Sequence, residues 1–346
     1  MARLARREVV DPTKQQVLHC TERCVRRAYL CGDDPYTGQS YEHRRDWIRD
    51  RMEFLASIFG IDFLTYAVMS NHAHVVLRSR PDIVASWKDE EVARRWLRLH
   101  PKRKDKQGRA KEPNASEIGA IAGNRKRLAE IRRRLSDVSW LMGDFAETIA
   151  RQSNREDDCT GRFWQGRFNC TNLLDEASLL ACTMYDDLNP IRAAMAETPD
   201  TSLYTGAKDR SDDLVARADL VSRAKGDRLS VHEWERAGAG RRSGWLSPIE
   251  IDQRQDPLGP DPAHCGRRAS NKGFLPISLT DYLQLLDWTG RALRAEKRGA
   301  IPQDLAPILA RLGLEADRWC EVVARFGKLF KRAAGTSEHL AAEARR

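Results

Sequence analysis

Three features are missing from this 346-residue chain, and each absence narrows what it can be. No apolar run approaches the roughly 20 residues that a membrane-spanning helix needs, so a membrane role is not expected. The opening stretch MARLARREVV carries basic residues but no apolar core, which leaves no secretory signal to read. The eight cysteines (Cys20, Cys24, Cys31, Cys159, Cys170, Cys182, Cys265 and Cys320) contain no CxxC pair. Scattered in this way they suit free thiols in a reducing cytoplasm, several of them buried. A zinc set drawn from His19, Cys20 and Cys24 has no familiar spacing behind it. No internal repeat is visible either.

What is present is positive charge and enough apolar residues for a core. The chain is 41% hydrophobic and 32% charged, with a net charge of +9. A length of this order favours two domains, and the basic balance suits a polyanionic partner. The excess is uneven: residues 101–136, with KRKDKQGRAK and RKRLAEIRRRL, hold twelve Lys or Arg against four Asp or Glu. That stretch reads equally as a solvated, partly disordered insertion with a charged helix or as an arm that contacts phosphates.

Periodicity sets the expected elements. Strands are expected over about Gln15–Cys24, Ile61–Met69 and His72–Arg78, with strand-like alternation over Arg162–Thr171. Helical spacing marks Tyr41–Phe59, Val84–Leu99 and Asp137–Gln152. A further helix is N-capped by Asp175 and must end near Asn189, because Pro190 disfavours helical geometry in the residue before it. This order implies an α+β fold of ferredoxin/RRM-like kind: one antiparallel sheet, helices on one face, and the other face free for a ligand. The expected organisation is an α+β domain over residues 1–210, an irregular linker over 211–275, and a mostly helical C-terminal region over 276–346. Within that last region Leu279–Lys297 and Leu305–Phe330 carry the helical pattern.

The stretch SNHAHVVL puts His72 and His74 one residue apart in a strand, hence on one face, with Ala73, Val75 and Leu77 on the other. The apolar side should pack on helices, leaving both imidazoles close enough to ligate one cation or to form ordinary hydrogen bonds. On the helix after Asp175, Leu180, Met184 and Leu188 make a core stripe. Tyr185 lies about 100° from it, with Asn189 one turn further on the same side. Such a tyrosine can equally pack at a core edge.

Taken together, YAVMSNHAHVVL, GRFWQGRF and YDDLNPIRAAM resemble the blocks of the single-tyrosine HUH transposases, in particular the REP-associated branch. The opening LHCTERCVRRAYL resembles that family's first strand. The likeness spans roughly residues 10–200 and departs at Ser70, at Ala194, and in the length of the insertion. It implies Tyr185 as a nucleophile that cuts single-stranded or hairpin DNA through a 5′-phosphotyrosine. It also implies a divalent metal held by His72, His74 and Asn189. Mg²⁺ or Mn²⁺ is expected, and imidazole ligands favour manganese.

Arg162, Arg167 and Arg192 are candidates for phosphate contacts. Trp164, with Phe168, could stack on bases or sit in the core. Asp186 and Asp187, adjacent to Tyr185, could serve as a base or as further metal ligands, but read first as solvated helix surface. A second copy of the chain is a candidate partner. The competing functions are a regulator that binds nucleic acid without cutting it and a relaxase or replication-initiator type of nicking enzyme.

Overall fold

A computed structural model describes residues 9–25, 30–35, 37–223, 242–251, 259–293 and 306–345. Strand β1 (Val17–Arg23) leads into helix α1 (Arg44–Ile58), then β2 (Ile61–Val68) and β3 (His72–Ser79) form a hairpin. Helices α2 (Pro81–Ser86), α3 (Asp89–Leu99), α4 (Ala115–Ala122), α5 (Arg125–Leu135) and α6 (Val138–Glu156) fill the crossover to β4 (Asn169–Leu173). The sheet order is β2-β3-β1-β4, antiparallel throughout, and a two-residue strand Ala333–Ala334 adds in parallel to β4. Strand, helix, two strands, helices, strand in that spatial order is the split βαβ arrangement of ferredoxin-like sheets. The α+β class, the antiparallel sheet and the helical C-terminal region all match the sequence pattern.

Strand alternation divides the sheet's side chains between two cores. Leu18, Cys20, Ala73, Val75 and Leu77 point to one face and pack with α1, α3 and α6 through Ile48, Leu55, Leu97, Phe145 and Ile149. That is the face expected to meet helices. The opposite face is not open. Leu64, Val76 and Leu173 pack there against α7 (Glu176–Asp187), the helix Leu279–Ala292 and the helix Ala316–Leu329. Helix α7 is therefore apolar almost all round. Ser178 through Met184 are all buried, because the sheet lies on one side and the C-terminal helices on the other.

Local signals explain most boundaries. Asp175 caps α7 in a reciprocal capping box with Ser178. After Leu188 comes a single turn, α8 (Asn189–Arg192), with Pro190 among its first positions. The helix expected over Val84–Leu99 is two helices, broken at extended Trp87 and Lys88. The strand that pairs with β1 is Asn169–Leu173, so it keeps only Asn169–Thr171 of the expected Arg162–Thr171, although Trp164 bridges to Cys24 upstream of it.

The basic stretch is folded across most of its length. Leu128, Ile131 and Leu135 of α5 are buried, and Arg132 donates to Val84 O and Trp87 O, closing the end of α2. Arg125, Lys126, Arg127 and Arg133 remain exposed on its outer side.

Part of the expected linker is built into the fold. Helix α9 (Gly206–Arg223) crosses residue 211. Trp245 is fully buried between Phe63 (ring centroids 5.3 Å) and Tyr66 (5.1 Å), and Ser247 N donates to Phe63 O at 2.9 Å. Ser270 donates to the buried Asp62, which also receives Arg78 and Arg80. The remainder of the expected linker, residues 224–241 and 252–258, lies outside the described residues, as do 294–305 of the expected C-terminal helices. The expected helix Leu305–Phe330 is two helices, Ala306–Arg311 and Ala316–Leu329.

Candidate active site

Four elements deliver the candidate residues to one place beneath the helix Ala316–Leu329. Strand β1 supplies His19, β3 supplies His72 and His74, α7 supplies Cys182, Tyr185 and Asp186, and α8 supplies Asn189. His72 and His74 share a face, with ring centroids 4.7 Å apart. That face is covered, contrary to expectation: His74 is 4% exposed, while His72 is half-buried with Nδ1 against Asn71 Oδ1.

The ring of Tyr185 packs edge-on to His74 at 5.8 Å and to His19 at 6.3 Å. Asn189, buried, places Nδ2 3.4 Å from His74 Nε2. Turning that amide over would present Oδ1 instead. Tyr185, His72, His74 and Asn189 thus come together from three elements.

The phenol is hemmed in. Phe326 lies 5.9 Å from its ring, and Arg192 stacks its guanidinium 4.8 Å above the ring while donating to Ala324 O. Gly327 leaves room for the phenol: a Cβ at that position would sit 2.9 Å from Tyr185 Oη, so the ring would have to shift. Burial raises the Tyr185 pKa, Asp186 raises it further, and Arg192 opposes both. Burial also lowers the imidazoles. His72 falls to about 3, with His74 contributing, and His74 falls although Asp186 opposes it. Both rings are neutral near pH 7, the form that binds metals.

Asp186 and Asp187 are not helix surface. Both are fully buried. Asp187 accepts from Thr65 Oγ1 (2.9 Å), Ala207 N (3.1 Å) and Tyr282 Oη (2.6 Å). Burial pushes it up to about 6 against those hydrogen bonds. Asp186 Oδ1 lies 3.1 Å from His19 Nε2 and 3.1 Å from His74 Nδ1. Neither N–H is aimed at it, and both carboxylate oxygens are buried without a hydrogen bond. Burial works to raise Asp186, but His19 and His74 outweigh it and hold the carboxyl at about 2.

His19, Cys182 and Asp186 bring their donor atoms within 4.8 Å of one another and can hold a metal ion. Sequence reasoning placed His19 only beside Cys20 and Cys24, whose side chains face the other core. Asp186 was readable in one respect. Residues 176–188 carry charge only at Glu176, Asp186 and Asp187, far too little for a solvated helix.

The remaining expected residues do not converge on the histidines. Trp164 is buried, with Nε1 donating to Ala146 O at 2.8 Å and its ring against Phe163 and Phe145, so it is a core residue rather than a base-stacking platform. Phe168 is buried too. Arg162 and Arg167 are exposed in the segment before β4. Of the five residues expected to contact DNA, only Arg192 touches the tyrosine.

No family model matches the chain, and no curated protein matches it. Among solved structures it is similar to the REP-associated tyrosine transposase bound to a REP hairpin, with 10% identity and a TM-score of 0.34 over 59% of this chain and 82% of that one. A likeness that loose carries no functional argument. Among the described residues, no helix is long and apolar enough to cross a membrane.

Proposed function

We propose that the chain is a metal-dependent single-tyrosine DNA nuclease and strand transferase, a transposase or a domesticated relative, acting on single-stranded or hairpin DNA. The observation that carries this function is the convergence of Tyr185 with His74 and Asn189, at ring and hydrogen-bonding distance, from α7, β3 and α8. The sequence blocks that resemble HUH transposases contain those same residues.

In the chemistry, the Tyr185 phenol gives up its proton and Oη attacks phosphorus. The Oη–P bond forms as the P–O3′ bond breaks and the departing O3′ takes up a proton, so the proton lost by the phenol is balanced; the products are a 5′-phosphotyrosine and a 3′-hydroxyl, and reversal rejoins ends. His72, His74 and Asn189 fit a divalent ion in donor type, two neutral imidazoles and an amide oxygen, and are grouped on one face. Mg²⁺ or Mn²⁺ bound there would polarise the non-bridging phosphate oxygens. Arg192, already over the phenol ring, draws its pKa down and can meet the phosphate. Arg162, Arg167 and the exposed arginines of α5 supply further phosphate contacts along the strand. A cytoplasmic enzyme, alone or as a homodimer, completes the proposal.

A non-cutting DNA-binding regulator is the second reading, favoured by one observation: the helix Ala316–Leu329 closes over the phenol. Incubation with matched single-stranded, hairpin and duplex oligonucleotides, with Mn²⁺ and then with chelator, separates the two. Cleavage is expected of the single-stranded and hairpin forms, lost with chelator. Binding without cleavage on any of them would support the regulator.

A further inference from the structure

Three donor atoms at this site form a nearly equilateral triangle. His19 Nε2 and His74 Nδ1 are 3.0 Å apart, and each is 3.1 Å from Asp186 Oδ1. One side of the triangle, the contact between the two rings, has hydrogen-bond geometry. With Asn189 Nδ2 donating to His74 Nε2, the His74 proton belongs on Nδ1 and His19 Nε2 accepts it. In that tautomer neither ring aims an N–H at Asp186, a fully buried carboxylate that makes no hydrogen bond and has the two imidazoles beside it. A buried anion in that condition is unfavourable unless a cation meets it.

The triangle is also the right size for one. Metal–nitrogen and metal–oxygen bonds of about 2.1 Å to all three atoms require angles of roughly 90–95°, and spreading the donors by about 0.3 Å gives a tetrahedral set. The Cys182 thiol, one turn before Asp186 on α7, lies within 4.8 Å of the His19 and Asp186 donors and supplies a fourth ligand.

We propose that His19, His74, Asp186 and Cys182 bind a structural transition-metal ion, zinc by ligand type, that fastens the tyrosine-bearing helix to β1 and β3. Two imidazoles, a carboxylate and a thiolate select zinc over magnesium. The ion joins α7 to the two central strands at the residue next to Tyr185, so it acts on the phenol as a positioning element. This inference does not rest on the proposed DNA chemistry, and it names a ligand set different from His72, His74 and Asn189. Only His74 is common to both. It offers Nδ1 to this ion and Nε2 to the Asn189 side, and with both sites filled its ring would carry no proton.

The test is titration of the purified full chain with Zn²⁺, and with Co²⁺ as its optical counterpart, followed by metal stoichiometry, absorption spectrum and thermal melting. One ion per chain is expected at micromolar metal or below, with a raised melting temperature and a near-ultraviolet thiolate-to-cobalt band. His19→Ala and Asp186→Asn should each weaken binding by at least 100-fold. Cys182→Ser should remove the thiolate band. His72→Ala and Asn189→Ala should leave stoichiometry and spectrum unchanged. The metal-free variants are compared with the metal-free native chain by circular dichroism, so that a folding defect is not read as ligand loss.

Absence of binding by a folded native chain would overturn the proposal. So would a cobalt spectrum that survives His19→Ala but disappears in His72→Ala and Asn189→Ala, which would place the ion at the proposed catalytic set instead. Failure of DNA cleavage with zinc binding intact would count against the proposed function and leave this site standing.

Discussion

At the scale of single residues, the site is a compromise between burying a phenol and keeping it ionisable. Burial and Asp186 push the Tyr185 pKa up, while Arg192 pulls it down from 4.8 Å above the ring. If the phenolate attacks, the rate should climb as pH rises toward the phenol's pKa. Removing Arg192 should displace that climb to higher pH as well as slow the reaction. Cleavage by Arg192→Ala is therefore expected to fall at pH 7.5 and to recover in part at pH 9. A uniform loss at every pH would make Arg192 a DNA-binding residue with no influence on the phenol.

Strand and helix periods put His72 beside His74 and Tyr185 beside Asn189, and it was the resemblance of their sequence blocks to HUH transposases that singled the four out as one site. His19 and Asp186 were not singled out in this way. A β1 residue can be assigned to a sheet face, but only the register of β1 against β3, His19 opposite Val76 and Thr21 opposite His74, brings its ring to His74. That register is a long-range fact with no local signal.

At the scale of elements, α7 is the piece that the sequence pattern describes least well. A stripe of Leu180, Met184 and Leu188 predicts one buried side, and the helix has two. The second is made by the helix Ala316–Leu329, more than 130 residues downstream, which presents Phe326 and Gly327 to the tyrosine.

Glycine inside a helix costs about 1 kcal/mol relative to alanine, so Gly327→Ala would be stabilising on propensity alone. Here its Cβ would stand 2.9 Å from Tyr185 Oη. The expected outcome is no gain in melting temperature and a cleavage rate at least several-fold lower, as the phenol is pushed off its place. A stabilised variant with unchanged cleavage would show that this helix does not hold the tyrosine in the active chain. Trp164 carries the converse lesson: aromatic alternation before β4 fits both a stacking platform and a core, and only the packing against Phe145 and Phe163 decides it.

At the scale of the whole molecule, the sheet is closed from both sides by chain that lies far away in sequence. The expected α+β sheet and C-terminal helices are present, and the described parts of the chain between them, residues 242–251 and 259–275, pack into the fold. Residues 242–251 run along β2, pairing Leu246 with Phe63 and burying Trp245 completely. Trp245→Ala is expected to destabilise the chain by about 3–5 kcal/mol, the range for deleting a buried tryptophan. Denaturant unfolding measures it, and a cost below 1 kcal/mol would mean that this segment is a loose linker after all.

The deciding measurement on the whole chain is the covalent intermediate. A hairpin oligonucleotide incubated with the native protein and Mn²⁺, digested and examined by mass spectrometry, should yield one peptide carrying a 5′-linked nucleotide on Tyr185, and Tyr185→Phe should yield none. A nucleotide found on any other residue, or cleavage that persists undiminished in Tyr185→Phe, would contradict the assignment of the phenol as nucleophile.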